Sequence, residues 1–116
     1  MTVSKIKLSA STDGLGVKIS QTATAGTLVH TAVTGTTDYD EIYLWAVNSD
    51  SSDRKVTVEF GGATSPDCLI EYTVPAEDGP HLIVPGLLLQ NGLTVKVFAA
   101  TANVVMIYGY ALRIDN

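Results

Sequence analysis

Asp40-Glu41-Ile42-Tyr43-Leu44-Trp45-Ala46-Val47-Asn48, then Ser49-Asp50-Ser51-Ser52-Asp53, then Arg54-Lys55-Val56-Thr57-Val58-Glu59-Phe60-Gly61-Gly62, is the stretch that decides the fold. Side chains alternate across an extended chain, so Ile42, Leu44 and Ala46 share one face and Tyr43, Trp45 and Val47 the other. Both faces are apolar, which predicts a strand covered on both sides and the deepest element of the molecule. In the second run Val56, Val58 and Phe60 alternate with Thr57 and Glu59, the pattern of a half-buried strand. The serine- and aspartate-rich interval between them reads as a loop. Together the two runs predict a central hairpin.

Working outward, Met1 to Ser9 alternates Ile6 and Leu8 with Lys5 and Lys7, as in a short strand or an arm. Ser11-Thr12-Asp13-Gly14 signals a turn. Gly16 to Ser20 alternates weakly, Gln21 to Gly26 is a loop, and Thr27 to Val33 is rich in the β-formers Thr and Val. On the other side, Cys68 to Val74 alternates until Pro75 stops it. His81 to Val84 reads as a short strand broken at Pro85-Gly86, and Leu87-Leu88-Leu89 is too short to assign by period. Asn91-Gly92 favours a tight hairpin. Thr94 to Ala100 is a further strand, and Val104 to Ile114 is a last one, apolar on both faces.

Helical spacing of apolar residues is nowhere sustained. Turn signals recur roughly every ten residues, the rhythm of an all-β protein. The expected fold is therefore a two-sheet antiparallel β-sandwich, jelly-roll-like or immunoglobulin-like. Residues 1–116 read as a single β-sandwich domain, with 1–9 an N-terminal arm or edge strand.

Hydrophobic residues make up 46% of the chain and charged ones only 16%, against a usual ~25% charged. So small a domain has apolar surface left over, and self-association or docking on a larger assembly is its outlet. The net charge of −5, with the cations scattered along the sequence, argues against a nucleic-acid partner. The single cysteine, Cys68, has no internal partner, which fits cytosolic synthesis. No signal-like run or membrane-length apolar stretch is visible, so no membrane partner is expected.

Candidate chemistry is sparse. His30 and His81 stand alone in the sequence, without the neighbours of a metal site. Cys68 has no surrounding nucleophile signature and reads as a structural thiol. The carboxylates of Asp38-Tyr39-Asp40-Glu41 and of Asp50-Ser51-Ser52-Asp53 lack the order of a calcium loop and read as solvated loop rims. The glycine pairs are not followed by the residues of a phosphate loop. No catalytic residue, metal ligand or cofactor site is expected, and the chain is not expected to be an enzyme. The aromatic residues are the better candidates. Tyr43 and Trp45 share one strand face; Met106, Tyr108 and Tyr110 share another. They are core, or subunit-interface anchors, or a platform for sugars.

Several segments carry a resemblance. They are Ala10 to Gly14, Thr22 to Ala32 (Thr-Ala-Thr-Ala-Gly-Thr-Leu-Val-His-Thr-Ala), Tyr39 to Asn48, Val58 to Gly62, Val84 to Leu89 and Ala99 to Asn103. With these the chain resembles a family of small tailed-bacteriophage virion proteins of similar length. The resemblance implies a capsid decoration, or cement, protein made in the host cytoplasm. Such a protein sits on the outer capsid surface, bound to the major capsid protein at capsomer junctions. It would be a homo-oligomer, a trimer in preference to a dimer, with Met1 to Ser9 as a tether. The rival reading is a tail-fibre or tail-tip module that binds a host glycan.

Overall fold

In the computed structural model, which describes residues 1–116, the chain forms nine strands and no helix. They are β1 (Thr2–Lys7), β2 (Val17–Lys18), β3 (Thr27–Thr31), β4 (Tyr39–Asn48), β5 (Arg54–Phe60), β6 (Leu69–Val74), β7 (Pro80–Leu89), β8 (Thr94–Ala99) and β9 (Val105–Asp115). One sheet has the order β1-β9-β4-β7, with β2 added to β9; the other has the order β3-β8-β5-β6. All pairings are antiparallel. The all-β two-sheet sandwich expected from the sequence is the observed fold.

The pairings are nested. β1 pairs β9, β3 pairs β8, β4 pairs β7, and β5 pairs β6. This is one long hairpin rolled up so that successive pairs fall in alternate sheets, the topology of a jelly roll. The only consecutive strands that pair are β5 and β6, joined by the loop 61–68.

The central hairpin is therefore overturned: β4 and β5 lie in different sheets. Ser49–Asp53 is an arch between layers. Asn48 holds it, its Nδ2 donating to the carbonyls of Ser52 (2.9 Å) and Val74 (3.0 Å) while its Oδ1 accepts from Asp50 N–H. The Asn-Gly hairpin fails in the same way. Asn91 and Gly92 do adopt positive φ, 63° and 66°, as a tight turn requires. Their N–H groups, however, donate to the carbonyls of Gly35 and Val33, and the flanking β7 and β8 part into different sheets. β7 is also longer than expected, running through Pro85 to Leu89 with two register shifts against β4. An edge strand tolerates the missing N–H of proline.

The core lies between the sheets. Ile42, Leu44 and Ala46 of β4 meet Val56 and Val58 of β5, Val95, Val97 and Ala99 of β8, and Ile107 and Ala111 of β9, all buried. Each large aliphatic side chain so buried contributes about 1.5–3 kcal/mol. β5 is not half-buried as expected, because Thr57 and Glu59 on its outer face are buried too. The Gln21 to Gly26 loop reaches Glu59, whose carboxylate accepts from the Thr24 hydroxyl (2.7 Å) and Gly26 N–H (2.8 Å).

Candidate functional site

The outer face of β4 is only half-buried at Tyr43, Trp45 and Val47. The expected cover on both sides is thus absent from the chain itself: the second sheet covers one face, and nothing within the molecule covers the other. Antiparallel register places β9 alongside, with Tyr110 opposite Tyr43, Tyr108 opposite Trp45 and Met106 opposite Val47. All five aromatic and methionine candidates, Tyr43, Trp45, Met106, Tyr108 and Tyr110, therefore share one sheet face. The plain-core reading does not hold for them.

Three of the rings form a compact stack. Tyr43 and Tyr110 have centroids 5.1 Å apart at 26°, and Trp45 lies 6.0 Å from Tyr110 and 6.4 Å from Tyr43, distances typical of offset aromatic pairs. Lys5 Nζ caps Tyr110 at 4.6 Å from the ring centroid, a cation–π contact. The Tyr43 hydroxyl donates to the Glu41 carboxylate at 2.6 Å. That bond holds the phenol above its ordinary pKa, because ionisation would place two anions side by side. Gly86 makes room for the Tyr43 ring, and Gly16 for that of Tyr108. A Cβ at either would lie 2.8 Å from ring carbon.

Beside the stack is an open apolar depression of about 470 Å³ lined by Trp45, Val47, Pro80 and Tyr108. Leu82, opposite Trp45 on β7, is 48% exposed, and Tyr108 is 42% exposed. The opposite border is basic. Lys5 is in register with Leu112, Lys7 with Tyr110 and Lys18 with Met106, so all three project on this face. Arg54, Lys55 and Arg113 are committed to ion pairs with Asp50, Glu71 and Asp40, whereas Lys5, Lys7 and Lys18 have no carboxylate partner. Cations that are scattered along the sequence are gathered by the fold.

A second constellation is buried, and sequence reading missed it. Asp40 is fully buried on the inner face of β4, not on a solvated rim. His30 Nε2 donates to Asp40 Oδ2 at 2.8 Å, and Val33 N–H donates to the same oxygen at 3.2 Å. Arg113 donates from Nε to Oδ1 at 2.8 Å and from its terminal nitrogen to Oδ2 at 2.9 Å. Burial alone pushes the Asp40 carboxyl up, but the hydrogen bonds from Arg113 and His30 outweigh it and hold the pKa below the ordinary value. The same bond raises Arg113. Because β3 and β4 belong to different sheets, this network clamps the layers at one end as Asn48 does at the other. The available signal was parity: Asp40 stands in register with Ile42, Leu44 and Ala46.

Ser9, His30 and Asp40 are the residue types of a hydrolytic triad, but they are wired differently. His30 Nδ1 accepts the backbone N–H of Ser9 at 3.0 Å, and the Ser9 hydroxyl accepts Thr31 N–H at 2.7 Å. The imidazole is thereby fixed as the Nε2–H tautomer, its acceptor nitrogen filled by a main-chain amide. A general base needs that nitrogen on the nucleophile's hydroxyl. The arrangement positions strands and takes no proton from Ser9.

The remaining candidates are dispersed. The His81 ring lies tilted beside that of Tyr72, and its Nδ1 is 3.3 Å from the Tyr72 hydroxyl. Its Nε2 lies 3.2 Å from Asp78 but lacks hydrogen-bond alignment. Cys68 is half-buried. Asp50 is held below its ordinary pKa by the hydrogen bond from Arg54. No three His, Cys, Asp or Glu side chains converge in metal-binding geometry. The fold and its open face define an all-β jelly-roll domain with one uncovered aromatic surface. Compared with protein-family models, curated proteins and solved structures, the chain matches none.

Proposed function

We propose that the chain is a structural protein of a tailed-phage virion, a decoration protein that cements the outside of the head by binding the major capsid protein at capsomer junctions. The observation that carries this reading is the uncovered face of Tyr43, Trp45, Met106, Tyr108 and Tyr110, bordered by unpaired lysines: apolar surface that the chain does not cover itself is surface for assembly, with another copy or with the shell. Buried aromatic anchors inside a polar rim are what protein interfaces use. β1 adds support as an edge strand rather than a loose arm: it pairs β9 along its whole length, its other edge is free, and only Ile6 among its six residues is even partly buried. The jelly roll is shared by viral capsid and lectin domains, a likeness of fold alone.

The glycan reading fares less well on the same face. A sugar stacks on a free ring face and takes hydrogen bonds around it. Here Tyr43, Trp45 and Tyr110 spend their faces on one another and on Lys5, and three of the four residues lining the depression are hydrophobic. An apolar protein side chain suits that depression better.

Cryo-electron microscopy of the virions tests the proposal. Density for the chain should sit over capsomer junctions, and particles stripped of it should release DNA at lower temperature. Density in the tail, or unchanged particle stability after removal, would refute it.

A further inference from the structure

We infer that the open face of the β1-β9-β4-β7 sheet is a two-fold self-association surface, on which a second copy of this chain lies face to face with strands roughly aligned. This rests on reading that face as a protein–protein surface, and it does not need the virion assignment.

The layout of charge selects both the occupant and the axis. Across the face the rows run Lys18–Met106–Val47–Pro80, Tyr108–Trp45–Leu82, Lys7–Tyr110–Tyr43–Pro85 and Lys5–Leu112–Glu41–Leu88, the Glu41 carboxylate being engaged by the Tyr43 hydroxyl. Every unpaired lysine of the face is therefore on the β1/β2 side, and the β7 side carries proline and leucine. A two-fold axis parallel to the strands, between β9 and β4, lays each column on its mirror position. Lysines then never face lysines. Tyr108 of one copy lies on Trp45 of the other, twice. Lys18 comes over the partner's Pro80, two residues from the partner's Asp78, a carboxylate that is 63% exposed. An axis across the strands would instead stack three lysines on three lysines, the like-charge juxtaposition that interfaces avoid. The two-fold contact is isologous and closed, so it stops at two copies.

The face is large enough. Four strands at about 4.8 Å spacing and ten-residue strands at about 3.3 Å per residue give a planar footprint of roughly 600 Å². With side-chain relief this approaches the ~800 Å² that each partner of a standard complex buries. Sheets packed in this way align within about 30°. With this face covered by a second copy, β1's free edge and the β3-β8-β5-β6 sheet are left for a larger shell.

Sedimentation equilibrium of the purified full chain tests this. The expected mass is twice 12.2 kDa, and dilution through the dissociation constant should red-shift the emission of Trp45, the only tryptophan. Trp45→Glu at the centre and Leu82→Glu at the rim should each weaken association by roughly tenfold or more. Either suffices if the other variant does not fold. Leu28→Glu, at a comparably exposed leucine on the other sheet (41%), should leave the dimer intact. Lys18→Glu and Asp78→Lys should each weaken it a few-fold, and the double charge swap should restore it. A monomer at about 100 μM, where even a ~1 μM dissociation constant leaves little monomer, would overturn the inference. So would a dimer indifferent to both face variants, or a trimer. A swap that fails to restore association would refute the axis. A monomer that still decorates particles would sink the dimer and leave the virion reading standing; a dimer absent from particles would do the reverse.

Discussion

The two faces of β4 are equally apolar at their centres and have opposite fates. Ile42, Leu44 and Ala46 are fully buried against the second sheet, while Tyr43, Trp45 and Val47, one residue along, stay half-open. The difference lies in shape and in the polar ends. The inner face uses aliphatic side chains that interdigitate across about 10 Å, and it finishes in Asp40 and Asn48, each tied to the opposite layer. The outer face uses planar rings that stack on one another. Apolarity measures how much a face gains by being covered; it does not say whether the cover belongs to the same chain.

The largest expected effect is at the inner polar end. Asp40→Ala leaves Arg113, His30 and the Val33 amide without their acceptor and should cost about 3–5 kcal/mol in urea denaturation. A loss comparable to that of an exposed substitution would show that the clamp is decorative. Leu44→Ala should cost about 2–5 kcal/mol through the cavity it leaves. At the other clamp, Asn48→Ala should cost about 1–3 kcal/mol by orphaning the carbonyls of Ser52 and Val74.

Acid sharpens the same contrast. Asp40 is held below its ordinary pKa in the folded state, so its stabilisation is fully present above the unfolded carboxylate value near 3.9 and fades as pH falls through the lower folded value. The urea midpoint should therefore stay level down to about pH 5 and drop below about pH 4. Asp40→Asn should flatten that acid limb, and an unchanged limb would assign it to other carboxylates. The smallest effect is outside: Trp45→Ala should alter the stability of the isolated subunit by less than ~1 kcal/mol. A loss as large as that of Leu44→Ala would mean that the outer face is core after all.

Strands and turns were legible because each is local. Tyr39 to Asn48 alternates cleanly, and Asn91-Gly92 adopts the left-handed backbone its sequence announces. Partners were not legible, because nested pairing joins segments far apart: Lys7 meets Tyr110, and Tyr39 meets Ile114. A tight turn between two good strands looks the same whether they pair or separate into two layers. The aromatic face was readable as a set of residues but not as open surface. The Asp40 network was hidden in an acidic cluster resembling any loop rim, and the gathering of Lys5, Lys7 and Lys18 needed the register of β1 and β2 on β9.

Nested pairing also sets an order of events during synthesis. β1 is made before the other strands, yet its only partner is β9, the final strand, eleven residues from Val105 to Asp115. At ribosomal speeds of about 5–20 residues per second the opening strand waits roughly 5–20 s for its mate, while the β5–β6 hairpin closes as soon as it emerges. An unpaired strand left that long invites mispairing, and charged side chains on it are a known safeguard. Lys5 and Lys7, which later border the aromatic face, stand where that protection is needed while the nascent chain is still incomplete.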